Sequence, residues 1–136
     1  MISFNYETDF QLLNQDKLSE WITNTIKEEH FKEGDINYVF CDDEYLHKLN
    51  VEFLQHDTFT DIISFDYAVG KELHGDIFIS VERVEDNAKN LEVNFEAELH
   101  RVMIHGILHY CGYKDKDEED IIEMRQKEDF YLNKLN

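Results

Sequence analysis

The sequence predicts an α+β fold in a single domain, a small mixed β-sheet of about four strands packed against about five helices. Three observations carry this. Four short stretches alternate apolar and polar residues with the period of a half-buried strand, and they are interleaved with five stretches whose apolar residues recur at helical spacing. A chain of 136 residues is the size of one domain able to bury its own core. No linker, internal repeat or low-complexity segment divides residues 1–136, and there is no proline anywhere.

In chain order, Ile2, Phe4 and Tyr6 alternate with polar neighbours and begin the sheet. Leu18, Trp21, Ile22 and Ile26 then form the apolar stripe of a helix, with Gly34, just after Phe31, as the expected stop. Ile36, Tyr38 and Phe40 give the second strand. Asp42 or Asp43 is placed to cap a helix carrying Tyr45, Leu46, Leu49 and Phe53. Ile62, Ile63 and Phe65 form a short strand, and Gly70 and Gly75 punctuate the path to Ile77, Ile79 and Val81, so a hairpin is expected. Ser80 caps a helix using Val81, Val84, Ala88 and Leu91. Asn94 caps the next, whose core side is Phe95, Leu99, Val102, Met103 and Gly106. A last helix uses Ile121, Ile122, Met124, Tyr131 and Leu132, with acidic residues in its first turn where the helix dipole favours them.

Composition narrows the function classes. The hydrophobic share of 42% suits a globular protein, and no stretch approaches the roughly 18 apolar residues of a membrane span. The N-terminus has no basic region followed by an apolar run, as a signal peptide would. Cys41 and Cys111 lie far apart and outside any Cys-x-x-Cys pattern, as free thiols in a reducing cytoplasm do. A cytoplasmic monomer is the expectation. The net charge of −18 opposes a polyanionic partner, and no cluster of Lys or Arg suggests a basic groove, so any contact with such a partner must be local. The acidic run of Asp115, Asp117, Glu118, Glu119 and Asp120 reads first as a solvated face or a helix start.

The stretch from His105 to Asp115 carries the chemistry. Residues four apart on a helix lie about 40° from each other on one face, so His105 and His109 can reach a single ion. Gly112 follows where a glycine ends a helix in the left-handed conformation, and the reversal would bring Asp115 back toward the pair. Two imidazoles and one carboxylate leave a fourth position open, as in catalytic zinc sites. On spacing alone, two ordinary helix histidines remain the other reading. A peptidase is disfavoured, because the His-Glu-x-x-His motif needs its general base where this chain has Gly106.

Further motifs accompany the histidines: Leu49-Asn50, Phe53, Thr60-Asp61-Ile62-Ile63-Ser64-Phe65, Gly75-Asp76-Ile77, Ile79-Ser80, and His105-Gly106-x-Leu108-His109-x-x-Gly112-Tyr113. In order and spacing they resemble the YbeY family of metal-dependent single-strand endoribonucleases, from about Leu49 to the end of the chain; residues 1–48 agree only in element order. The resemblance implies an α+β domain with a zincin-like metal site on a helix of the C-terminal half. It also implies one zinc ion, single-stranded RNA as substrate, a place in ribosomal RNA processing at the 3′ end of the small-subunit (16S) RNA and in ribosome quality control, and the ribosome or its proteins as partners. The family holds zinc with three histidines in a His-x3-His-x5-His pattern. Here the first two fall on His105 and His109, and the third falls on Asp115.

That departure is chemically permissible, since an aspartate oxygen binds zinc at a distance similar to an imidazole nitrogen. It hardens the ligand set toward other divalent ions such as manganese. Asp117 is the other carboxylate within reach. Asp61 and Asp76, at strand ends or turns, are the candidate catalytic residues, orienting a histidine or activating water; the alternative is that Thr60, Asp61 and Ser64 only satisfy backbone groups. The family usually carries an arginine where this chain has Leu54, so a phosphate-binding cation is missing. Arg101 could replace it, although an ion pair with Glu98 is the plainer expectation. Two functions follow. One is phosphodiester hydrolysis with the metal polarising a phosphoryl oxygen and supplying a bound water. The other is a ribosome-associated assembly factor in which the ion mainly fixes the last helices.

Overall fold

Alternation along the strands and helical periodicity between them sort the chain into one sheet with helices packed on both of its faces. The computed structural model describes residues 1–135. Among them the elements run β1 (Ile2–Tyr6), α1 (Gln15–Glu28), β2 (Lys32–Cys41), α2 (Asp43–Leu54), β3 (Ile62–Asp66), β4 (Glu72–Ser80), α3 (Val81–Leu91), α4 (Phe95–Tyr110) and α5 (Glu118–Leu135). The sheet order is β1-β2-β4-β3. β1, β2 and β4 are parallel, and β3 closes the edge as the antiparallel arm of the expected hairpin, with Ile62 opposite Ile79. No helix among the described residues is long and apolar enough to cross a membrane.

Because successive strand residues face opposite sides, the sheet has two distinct apolar faces. Ile36, Tyr38, Phe40, Leu73, Ile77 and Ile79 are buried against α1 and α4 in the main core. Cys41 and Ile63 face the other way, under Leu46 of α2, with Phe65 and Phe78 beside them. Polar anchors fix the helices on the first face. The buried hydroxyl of Tyr38 donates to the carbonyl of Met103 in α4 at 2.8 Å, and the Trp21 indole of α1 donates to the carbonyl of Tyr131 in α5 at 2.8 Å. A buried donor left without an acceptor costs about 1–3 kcal/mol, so these bonds specify where α4 and α5 sit.

Three helix starts match their expected caps: Asp42 accepts from the amide of Tyr45 at 2.8 Å, Ser80 from Arg83 at 3.1 Å and Asn94 from Ala97 at 2.7 Å. Other expectations need correction. Helix α1 ends at Glu28 and the chain turns at His30, which has φ 67°, rather than at Gly34. Gly34 lies inside β2, where a Cβ would overlap the Leu73 carbonyl and the His74 ring. Val81 begins α3 and does not extend β4. Ile121, Ile122 and Leu91 are exposed, and the buried stripe of α5 is Met124, Glu128, Tyr131 and Leu135.

Helix α4 also closes on the sheet at Gly75, where the Tyr110 hydroxyl donates to the Phe65 carbonyl at 2.9 Å. A Cβ on Gly75 would overlap both that hydroxyl and the Phe65 carbonyl oxygen. Gly75→Ala is therefore expected to destabilise the fold by about 1–3 kcal/mol through overpacking, read as a lowered urea midpoint with an unchanged slope.

Candidate metal centre

Helix α4 delivers both histidines and its C-terminus delivers the third group. Cys111 ends the helix and Gly112 follows at φ 101°. The amide of Gly112 donates to the carbonyl of His109 at 3.0 Å, and that of Tyr113 to Leu108 at 3.1 Å. This is the paired closure that a left-handed glycine makes at a helix end. The returning loop carries Asp115 back over the last turn, so the reversal expected at Gly112 is present.

The two rings stand 4.5 Å apart and nearly perpendicular. Each uses Nδ1 for a fixed bond: His105 Nδ1 donates to Glu128 Oε2 at 2.7 Å, and His109 Nδ1 donates to the Tyr113 carbonyl at 3.0 Å. A carbonyl can only accept, so the Nδ1 proton of His109 is dictated, leaving Nε2 with a lone pair in the neutral ring. Both Nε2 atoms face Asp115 Oδ2, at 3.3 Å from His105 and 3.2 Å from His109. One atom from each of the three residues lies within 4.8 Å of the others. With both rings neutral, the two Nε2 lone pairs and the Asp115 carboxylate converge as three acceptors, which a cation, a proton or a metal ion, must join. The donor set therefore fits one divalent ion of zinc type with a position left over.

Glu128 is the residue that sequence reasoning missed. Its carboxylate is 4% exposed and accepts from His105 and, at 2.9 Å, from Arg101 Nη1. Burial opposes its charge, but these two donors hold its pKa below the ordinary carboxylate value. Burial likewise opposes charge on His105, and Glu128, with Asp115 and Asp61 beyond it, outweighs that and raises the imidazole. A signal was present in the sequence: the Met124, Glu128, Tyr131, Leu135 stripe puts an acid on the buried face of a helix, where it must have a partner.

The remaining candidates divide. Asp61, just before β3, lines an open cleft of about 350 Å³ with His105, Asp115 and Glu128. Its Oδ2 accepts from Asn87 at 3.3 Å, and burial raises its pKa despite the nearby His105 and local backbone amides. Asp76 is not brought to the histidines. Its neighbour Ile77 packs toward α4, so Asp76 projects from the opposite face of β4, where Oδ1 accepts from Asn37 at 3.1 Å and the residue lines a separate depression with Tyr67 and His74. Asp117 accepts from the amide of Asp120 at 2.9 Å, capping α5, and is not among the three converging groups. Thr60 donates to the Ile62 carbonyl at 3.4 Å. Arg101 pairs with Glu128 and Asp129 rather than with Glu98. Leu54 ends α2 as an exposed side chain. Burial pushes both thiols, Cys41 and Cys111, up to about 12, so neither is a thiolate nucleophile.

Two outcomes follow from this geometry. Asp115→Ala should lower the zinc content measured by mass spectrometry while Asp117→Ala leaves it unchanged. In the metal-free chain, the stabilisation from His105 is complete below its ordinary value of 6.5 and is lost as pH rises through the raised folded value. The urea midpoint of metal-free protein should therefore fall as pH is raised above that point. Saturating zinc should remove the fall, since Nε2 then carries an ion in place of a proton.

The family model described as Endoribonuclease YbeY matches residues 3–136. An Endoribonuclease YbeY from Flavobacterium johnsoniae is 65% identical over 129 residues, covering 95% of this chain and 93% of that protein. One from Flavobacterium psychrophilum is 57% identical, covering 95% and 92%. The solution structure of a Thermotoga maritima protein superposes with a TM-score of 0.70 at 28% identity, covering 99% of this chain and 89% of that one. A family match over nearly the whole length, together with relatives of this identity, means that the chain belongs to the YbeY family of endoribonucleases.

Proposed function

We propose that this chain is a metal-dependent endoribonuclease that hydrolyses phosphodiester bonds in single-stranded RNA. His105, His109 and Asp115 hold one divalent ion, zinc by ligand type. The observation that carries this reading is the convergence of two imidazole Nε2 atoms and one carboxylate oxygen, each imidazole fixed through its other nitrogen. An ion held there supplies Lewis acidity toward a phosphoryl oxygen and toward water.

The chain's own residues do the rest. Glu128 locks the tautomer and rotation of His105, and the Tyr113 carbonyl does the same for His109, so neither ligand must reorganise on loading. Asp61 sits in the same cleft, and burial raises its pKa from the ordinary carboxylate value, which favours its exchanging a proton with the attacking water or the leaving oxygen. Asp115 in place of a neutral imidazole adds negative charge, which makes bound water less acidic and admits harder ions such as manganese. The family resemblance supports ribosomal RNA as the physiological substrate, at the 3′ end of the small-subunit RNA, within ribosome quality control alongside the ribosome; the two free cysteines suit the cytoplasm, and the chain is read as a monomer.

A second reading, an assembly factor with little nuclease activity, is favoured by the net charge of −18 and by the engagement of Arg101 with two carboxylates. Purified protein should contain about one zinc per chain and cleave a single-stranded RNA, and His109→Ala should lower that cleavage about 100-fold or more, at least the loss seen when metal sites lose supporting groups. Cleavage unchanged in His109→Ala would overturn the nuclease mechanism. A folded, functional wild type without metal would overturn both readings.

A further inference from the structure

A phosphate entering the cleft beside His105 meets four carboxylates, those of Asp61, Glu98, Asp115 and Glu128. Even with an ion in place, an incoming phosphodiester needs a second cation there, because the protein's overall field repels it. Two arginines line the cleft, and their states differ. Arg101 is 23% exposed and both arms of its guanidinium are engaged, Nη1 with Glu128 at 2.9 Å and Nη2 with Asp129 at 2.7 Å. Turning Arg101 to a phosphate would strip the buried Glu128 of one of its two hydrogen-bond donors, which is costly for a buried charge.

Arg125 is free of that constraint. Its side chain is 55% exposed, and its one ion pair is a 3.6 Å approach of Nη1 to Glu128, beyond hydrogen-bond distance. Among the described residues it donates no hydrogen bond, so all five of its N–H donors remain open. It is nevertheless held near the chemistry. Its neighbour Met124 is buried, fixing the face of α5 from which the stem emerges, and the carboxylate it approaches is the one that receives His105 Nδ1 at 2.7 Å. Glu128 already has two donors, so its pull on Arg125 is enough to bias the side chain over the cleft without occupying its fork.

We propose that Arg125 is the phosphate-binding guanidinium of the site, pairing with non-bridging oxygens of the RNA strand next to the ion. The proposal rests on the hydrolase reading above and adds a residue that no part of that reading assigns. A planar fork matches two phosphate oxygens at once, which a lysine ammonium does not.

The test uses full-length, zinc-loaded protein as wild type, Arg125→Gln, Arg125→Lys and, as a charge-matched control, Lys89→Gln, an exposed side chain on α3 paired with Glu85. Cleavage of a labelled single-stranded RNA gives kcat and KM, and anisotropy of a single-stranded DNA of the same sequence gives binding apart from turnover. Arg125→Gln should keep the wild-type zinc content and urea midpoint and lose about 10- to 100-fold in kcat/KM and in affinity, the range for a hydrogen bond to a charged group. Arg125→Lys should recover part of the loss, and Lys89→Gln should match wild type. Arg125→Gln behaving as Lys89→Gln in both assays would overturn the proposal. A zinc-loaded wild type that cleaves no RNA would overturn the parent reading; the binding arm would still decide Arg125, equal affinity in wild type and Arg125→Gln overturning it.

Discussion

Two imidazole nitrogens and a carboxylate oxygen that converge on one point need a shared cation between them, and the rest of the fold can be read as what enforces their meeting. Helical spacing stacks His105 over His109. The left-handed backbone at Gly112 returns the chain so that Asp115 faces both rings. Helix α5 then supplies Glu128 from beneath, and the indole of Trp21 ties α5 to α1. Tyr38 ties α4 to the sheet through Met103. Each tie is a hydrogen bond from a buried or half-buried donor, so moving any of these elements leaves a polar group unpaired.

Electrostatics set the character of the site. The chain is strongly acidic, yet the acids near the histidines are not equivalent. Glu128 is kept charged by the donors it accepts from, whereas burial pushes the carboxyls of Asp61 and Glu98 toward their neutral forms. Divergent environments for neighbouring carboxyls are how one cleft can hold a fixed anion and a proton exchanger together. The surplus negative charge is a cost for binding RNA, and it makes a local cation more consequential here than in a basic nuclease.

Much of this was legible in the sequence because it is local. Alternation gave the strands, the caps at Asp42, Ser80 and Asn94 gave three helix starts, and His-x3-His followed by glycine gave the helix, the turn and the returning acid. What was not legible depends on neighbours distant in sequence. By motif Asp76 follows a glycine just ahead of the alternating Ile77 and Ile79, whereas in the fold it lies inside β4, and which sheet face α4 covers is a tertiary fact. The helix stop assigned to Gly34 failed because that glycine answers to a close approach by β4 rather than to a turn. Arg101 would pair with Glu98 in an isolated helix; in the folded chain Glu128 and Asp129 of α5 take both of its arms. Glu128 itself was visible only as an acid in an apolar stripe, and its partner lay 23 residues away.

The central claim is that this chain binds its ion through His105, His109 and Asp115. Crystals of zinc-loaded protein measured on either side of the zinc absorption edge test it most directly. The account predicts a single strong anomalous peak bonded to both Nε2 atoms and to a carboxylate oxygen of Asp115, at about 2.0–2.2 Å from each. A peak that omits Asp115, or one lying elsewhere with the histidine pair empty, would contradict it.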